Sequence, residues 1–157
     1  GLVNNQVSGN VKLTGTGGAS ATGGDNTGLR VQNNAIVSAV GGNITLDGTG
    51  GGAGGTGSNI GVWVESSGQV LTGGTGTIAV TGKSGTTTGI ANIGVFVSGL
   101  GSRIESTDGL VTVTGTGRGT GTERLVNRGT PAKTCSSLLF AEAGEDRKAV
   151  EQGGARR

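Results

Sequence analysis

Two short motifs recur along this chain at a single spacing, and that spacing constrains the fold more than any other feature. The first, apolar-x-apolar-Thr/Asp-Gly, occurs as Val11-Lys12-Leu13-Thr14-Gly15, Ile44-Thr45-Leu46-Asp47-Gly48, Ile78-Ala79-Val80-Thr81-Gly82 and Val111-Thr112-Val113-Thr114-Gly115, in steps of 33, 34 and 33 residues. The second, Asn-x-Gly-apolar-x-Val, occurs as Asn26 to Val31, Asn59 to Val64 and Asn92 to Val97, in two steps of 33. A weaker apolar cluster places Val37, Leu71 and Ile104 each seven residues before the next copy of the first motif. Every cluster alternates with period two, which puts one set of side chains on one face of an extended strand and the next on the other. No segment of the repetitive part has helical spacing.

Three short strands per unit, each in the position of its copy 33 residues on, predict parallel pairing between successive units. The expected fold is all-β, a right-handed parallel β-helix of about 33 residues and three strands per coil. A propeller fits less well, because its blades run four antiparallel strands over about 40 residues or more. The expected boundaries are a partial coil at 1–10, coils at 11–43, 44–77 and 78–110, and a partial coil at 111–121, so that residues 1–121 form the repeat domain. The inward columns are expected to be Val11/Ile44/Ile78/Val111, Leu13/Leu46/Val80/Val113, Leu29/Val62/Val95, Val31/Val64/Val97 and Val37/Leu71/Ile104.

Composition agrees with this reading and not with a conventional globule. Of 157 residues 37 are Gly, and only 31% are apolar, too few for an ordinary two-layer core. Collagen is excluded, since there is one Pro and no Gly-X-Y period. The stretches that follow each first motif, such as Thr49 to Ser58, are nearly pure Gly, Thr and Ser and are expected to protrude as loops.

Charge and residue inventory remove several function classes. Residues 1–122 carry five bases and five acids, whereas residues 123–157 carry seven bases and five acids, so the net +2 belongs to the tail. The repeats therefore lack the basic patch that nucleic acid binding needs, and no nucleic acid partner is expected. His is absent, which rules out imidazole catalysis. The single Cys135 has no partner for an internal disulfide. No apolar run reaches the 18 or so residues of a membrane span, so no membrane insertion is expected. The chain opens on Gly1 rather than Met and reads as a piece of a longer protein.

Motifs that carry chemistry elsewhere do not carry it here. Gly50 to Gly55 satisfies G-x-G-x-x-G but precedes no helix, and Gly76 to Ser84 approaches a phosphate-binding loop with a spacer one residue too long that runs through a predicted strand. Ala21 to Asn26 has a faint likeness to calcium-binding nonapeptides without their nine-residue period. Glu65, Glu105 and Asp108 are scattered along the chain and read as solvated surface residues. No catalytic residue, metal ligand or cofactor is expected. The rival readings are a carbohydrate-active β-helix enzyme, which would need those carboxylates clustered, and an ice- or surface-binding solenoid, whose flat Thr face would be interrupted by Lys12, Asp47 and Ala79.

Two columns stand out as candidate sites. Asn26, Asn59 and Asn92 stand at equivalent loop-to-strand corners, where Asn accepts left-handed backbone and can ladder its amide with the next unit. Arg30, Trp63 and Phe96 share one outward position in successive units and form the candidate ligand-contact column; packing of the aromatics on each other is the alternative. After Gly121 the repeat stops, and Pro131, Cys135 and most of the charge arrive together. Residues 122–157 are expected to be poorly ordered, or to form a short helix between Ser137 and Gln152.

Units reading Asn-Ile-Gly-Val-Trp/Phe-Val, followed by Ile/Val-x-Val/Leu-Thr-Gly, resemble the β-strand repeats of giant bacterial surface proteins of the filamentous-haemagglutinin and autotransporter-passenger type. The resemblance covers about residues 1–121. It implies a secreted, cell-surface β-helix acting in adhesion or as a stalk. The partners it implies are host-cell or matrix glycans and proteins, or neighbouring repeats of the same chain.

Overall fold

A computed structural model describes residues 1–5, 9–19, 25–52, 58–86 and 92–117, and the backbone of 134–135 and 148–149. Its strands, in chain order, are β1 (Leu2–Asn5), β2 (Val11–Thr16), β3 (Leu29–Val31), β4 (Ile36–Ala39), β5 (Ile44–Thr49), β6 (Val62–Val64), β7 (Gln69–Thr72), β8 (Ile78–Lys83), β9 (Val95–Val97), β10 (Arg103–Ser106), β11 (Val111–Thr116), β12 (Thr134–Cys135) and β13 (Lys148–Ala149). There is no helix among the described residues.

Each strand of the repeat pairs in parallel with its copy one unit away, which makes three sheets. Strands β2, β5, β8 and β11 form the longest ladder, with Leu13 opposite Leu46, Leu46 opposite Val80 and Val80 opposite Val113. Strands β3, β6 and β9 form the second, with Arg30 opposite Trp63 and Trp63 opposite Phe96. The third runs through β1, β4, β7 and β10. Alternate residues of all three sheets converge on one core that includes Ile44, Leu46, Val62, Val64, Val70, Ile78 and Val80, so each unit contributes a few β-branched or aliphatic side chains to a shared interior.

Alternation along the first ladder puts the Gly that closes each motif on the core face, in line with the two apolar residues before it. A Cβ on Gly48 would meet the carbonyl oxygen of Gly61 inside 3.0 Å, and one on Gly61 would meet the backbone of Lys83 and Gly94 equally closely. Gly15 and Gly82 stand in the same relation to Gly28 and Gly94. The glycines of the two motifs thus serve each other: they let one strand's backbone lie directly against the next segment.

One inward column differs from the sequence expectation. Val70, not Leu71, lies between Val37 and Ile104, and Leu71 pairs with Ser38 and Glu105 on the outward side. Counting back seven residues from the next motif fails because five residues (73–77) join β7 to β8, where four join β4 to β5 and β10 to β11. This added residue is the extra one in the 34-residue step. A one-residue shift in a strand exchanges its two faces, and the register that buries Val70 wins. Beside this column runs a second inward one, Ala39, Thr72 and Ser106, whose hydroxyls donate to backbone: Thr72 Oγ1 to Gly42 O at 2.6 Å and Ser106 Oγ to Gly76 O at 2.6 Å.

The tail also departs from expectation at its described positions. Lys148 and Ala149, expected within a helix, extend the first ladder as an antiparallel strand opposite Thr114 and Val113. Thr134 and Cys135 pair in the same way with Glu105 and Ile104. The outer edges of β10 and β11 offer main-chain N–H and C=O groups to these short strands, and local helical patterning is outweighed when an edge offers such partners. The rest of the expected helix, the expected disorder of the tail and most of the Gly-rich loops, including 53–57, lie outside the described residues.

Candidate functional site

The arginine and aromatic column is assembled by the second ladder. Because β6 lies between β3 and β9, Trp63 is covered on both faces by its neighbours in register. The Arg30 guanidinium carbon sits 4.2 Å from the centre of the Trp63 ring system. On the other side the Phe96 ring is stacked on the indole, with centroids 5.7 Å apart and planes 27° from parallel. Such contacts are worth about 0.5–1.5 kcal/mol for an aromatic pair and about 0.5–1 kcal/mol for a partly exposed cation over a ring.

Two polar partners, set diagonally one unit on, fix the column. Arg30 donates through Nε to Glu65 Oε1 at 2.6 Å, and its terminal nitrogen also pairs with that oxygen. Trp63 Nε1 donates to Ser98 Oγ at 3.2 Å. Both pairs are 35 residues apart, one 33-residue unit plus the two residues that return to the same strand face. Glu65 is accordingly not a solvated surface residue: its side chain is 15% exposed and is held by a cation. The sequence placed Glu65 on the solvated surface and gave no sign of Ser98; the offset of 35 that ties both to the column follows from the strand register.

Beneath the rings lies a small second cluster. Ile60 and Ile93 are buried, and Trp63 and Phe96 pack against them. The variable middle position of the Asn-x-Gly motif is therefore a core position in the second and third units, whereas the first unit has Thr27 there. An aromatic that packs downward on Ile, and has both faces covered, presents only its rim to solvent.

The asparagines form a continuous ladder along the same edge. Asn26 Nδ2 donates to Asn59 Oδ1 at 3.0 Å, and Asn59 Nδ2 donates to Asn92 Oδ1 at 3.1 Å. Asn59 and Asn92 are fully buried, so their amides are satisfied by protein groups instead of water. None of the three has left-handed backbone, which corrects the expectation of positive φ at these corners. Among the described residues, the non-Gly ones with positive φ are Asp25, Asn33, Asn34, Ser66 and Ser67, which lie just before Asn26 and between the second and third strands of a unit. A second ladder went unnoticed in the sequence: Asn43 N donates to Asn10 Oδ1 at 2.9 Å, and Thr77 N donates to Asn43 Oδ1 at 2.8 Å. Its signal was two Asn residues 33 apart, each directly before a first motif.

The remaining acids are spread over other faces. Arg103 Nε lies 3.1 Å from Glu105 Oε2 on the outward side of β10, and Asp108 is in the turn before β11. Among the described residues no three Asp, Glu or Cys side chains come together in a way that could hold a metal ion. No helix among them is long and apolar enough to cross a membrane. A scan against protein-family models, a search of curated proteins and a search of solved structures each return no match.

Proposed function

We propose that the three parallel sheets are the faces of a right-handed parallel β-helix and that the chain is a structural segment of a secreted or surface-exposed bacterial adhesin-like repeat protein. The observation that supports this reading best is the register of the first ladder, in which Leu13, Leu46, Val80 and Val113 stack over steps of 33, 34 and 33 residues. Each unit adds the same three strands to the same core, so such a chain extends by repetition at a small constant rise and presents a long surface. Right-handed crossovers are the rule for parallel strands. We read the segment as non-catalytic, because Glu65 and Glu105 are each engaged by an arginine on separate sheets and offer no facing pair of carboxylates.

In this reading the place of contact with a glycan or protein on a host surface is the rim of the column: the Arg30 guanidinium with the edges of Trp63 and Phe96. A sugar stacking flat on the indole has no free face to use. Display of the chain on a non-adherent bacterium tests the proposal. Adherence to host cells or matrix-coated surfaces should rise above background and fall at least about tenfold, roughly 1.4 kcal/mol, when Trp63→Ala and Phe96→Ala are combined. Adherence that survives both replacements removes the column from the site, and adherence at background leaves the segment a stalk without adhesive function.

A further inference from the structure

Asn43-Ile44-Thr45 is the only Asn-x-Ser/Thr triplet in the chain, the pattern at which a sugar is attached to an asparagine amide. Its middle residue belongs to the core and is 1% exposed, and this decides where the other two point. On an extended segment, the neighbours of an inward side chain both face outward. Asn43 is accordingly exposed and Thr45 half-buried on the same side of the strand. Burial of Ile44 thus presents the acceptor amide and its hydroxyl instead of hiding them.

Hydrogen bonding sorts the two amide atoms of Asn43. Thr77 donates to Oδ1 through its backbone N–H, at 2.8 Å, and through its hydroxyl, at 2.9 Å. A backbone N–H can only donate, so the atom facing Thr77 is the oxygen. The nitrogen Nδ2 is turned away from Thr77 and donates to no protein group among the described residues. Its neighbours one unit away on either side, Asn10 and Thr77, are exposed themselves and leave room above the corner. The buried ladder is the opposite case: Asn26 and Asn59 use Nδ2 as a donor, and Asn26, Asn59 and Asn92 each have Gly two residues on, where the triplet needs a hydroxyl.

We propose that Asn43 is an acceptor site for N-linked glycosylation, taking an oligosaccharide carried on a lipid diphosphate. In the transfer, Nδ2 attacks the anomeric carbon and the bond from that carbon to the diphosphate oxygen breaks, its electron pair leaving with the diphosphate. The amide proton passes to a carboxylate of the transferase. The product is a secondary amide that keeps Oδ1, so both bonds from Thr77 and the strand register survive the modification. The glycan stands at the turn from β4 to β5, away from the sheet that carries Arg30, Trp63 and Phe96, and does not compete with that column. The inference takes from the proposed function only that the chain is exported past a transferase.

Secretion of the full chain from a cell whose export pathway contains an oligosaccharyltransferase tests the proposal, with intact mass and peptide sequencing as the readout. The expected result is one glycan on Asn43, lost in Asn43→Gln and Thr45→Ala and restored in Thr45→Ser. Thr45→Ala copies the third unit, which has Ala79 at the paired position, and leaves the bonds from Thr77 to Asn43 in place, so loss of the glycan there is not a failure to fold. The glycosylated chain should have the β-sheet circular dichroism and the melting temperature of the same chain made without the transferase. Secreted chain with a bare Asn43, a glycan retained in Thr45→Ala, or attachment that abolishes the β-sheet signal would each overturn the proposal. Because the host cell supplies the transferase, each of these results leaves the adhesin reading standing.

Discussion

The first and second units of the repeat carry the same strands in the same register, yet they differ in how deeply the corresponding residues are buried. Leu46 in the second unit is fully buried, and its counterpart Leu13 in the first is only partly so. The same holds for Val62 against Leu29 and for Asn59 against Asn26. The difference is one of neighbours. The second unit is covered by a unit on each side, whereas among the described residues β2 and β3 of the first have a neighbouring strand on one side. A unit in this chain completes the burial of its inward side chains only against the units beside it.

The largest difference between the two units is expected at the paired leucines. Leu46→Ala is expected to destabilise the chain by about 3–4 kcal/mol, and Leu13→Ala by less than half as much, since a cavity between two units costs more than one at an open end. Urea unfolding checks this, and equal losses would mean that the first unit is buried as well as the second. Gly48→Ala follows with about 2–3 kcal/mol, because the added methyl has backbone on its far side and no rotamer to escape through. Loss of stability at Gly48 without a comparable loss at Gly73, whose added Cβ would meet nothing closer than 3.9 Å and whose φ is an ordinary one, would be read from the same curves.

The asparagine pair comes next. Asn59→Ala leaves the amides of Asn26 and Asn92 short of a partner in a buried place and is expected to cost about 1–3 kcal/mol; Asn26→Ala, at the partly buried position, should cost under about 1 kcal/mol. Thermal melts of the two variants are sufficient to rank them. Smallest is the surface pair: Arg30→Ala should change stability by no more than about 1 kcal/mol, the side chain being 39% exposed, and the effect should shrink in high salt. A loss at Arg30 as large as that at Asn59 would make the column part of the core instead of its outer cover.

The sequence made the period, the strands and most of the columns legible because each follows from alternation repeated at fixed spacing, and repetition supplies independent copies of the same evidence. Four of the five expected inward columns have the expected pairing. The fifth misassigned Leu71 because one residue between β7 and β8 moved the count, and both Val70 and Leu71 are apolar enough to be chosen locally. Only the neighbouring strands decide between them. The partners of the candidate column were hidden for a different reason: Glu65 and Ser98 belong to the same face at an offset of 35, which is visible only after the register is known. Ile60 and Ile93 lay within a motif position read as variable, and the strand pairing of Lys148 and Ala149 depends on an open edge that no local pattern encodes.

Cross-strand contacts at the middle of the first ladder test the parallel, in-register stack most directly. Nuclear Overhauser effects between main-chain protons should link Leu46 to Leu13 on one side and to Val80 on the other, residues 33 and 34 apart, in the pattern of parallel strands. Contacts that instead join β5 to β4 or β6 as antiparallel neighbours would contradict the stack and, with it, the proposal of a repeat built to extend.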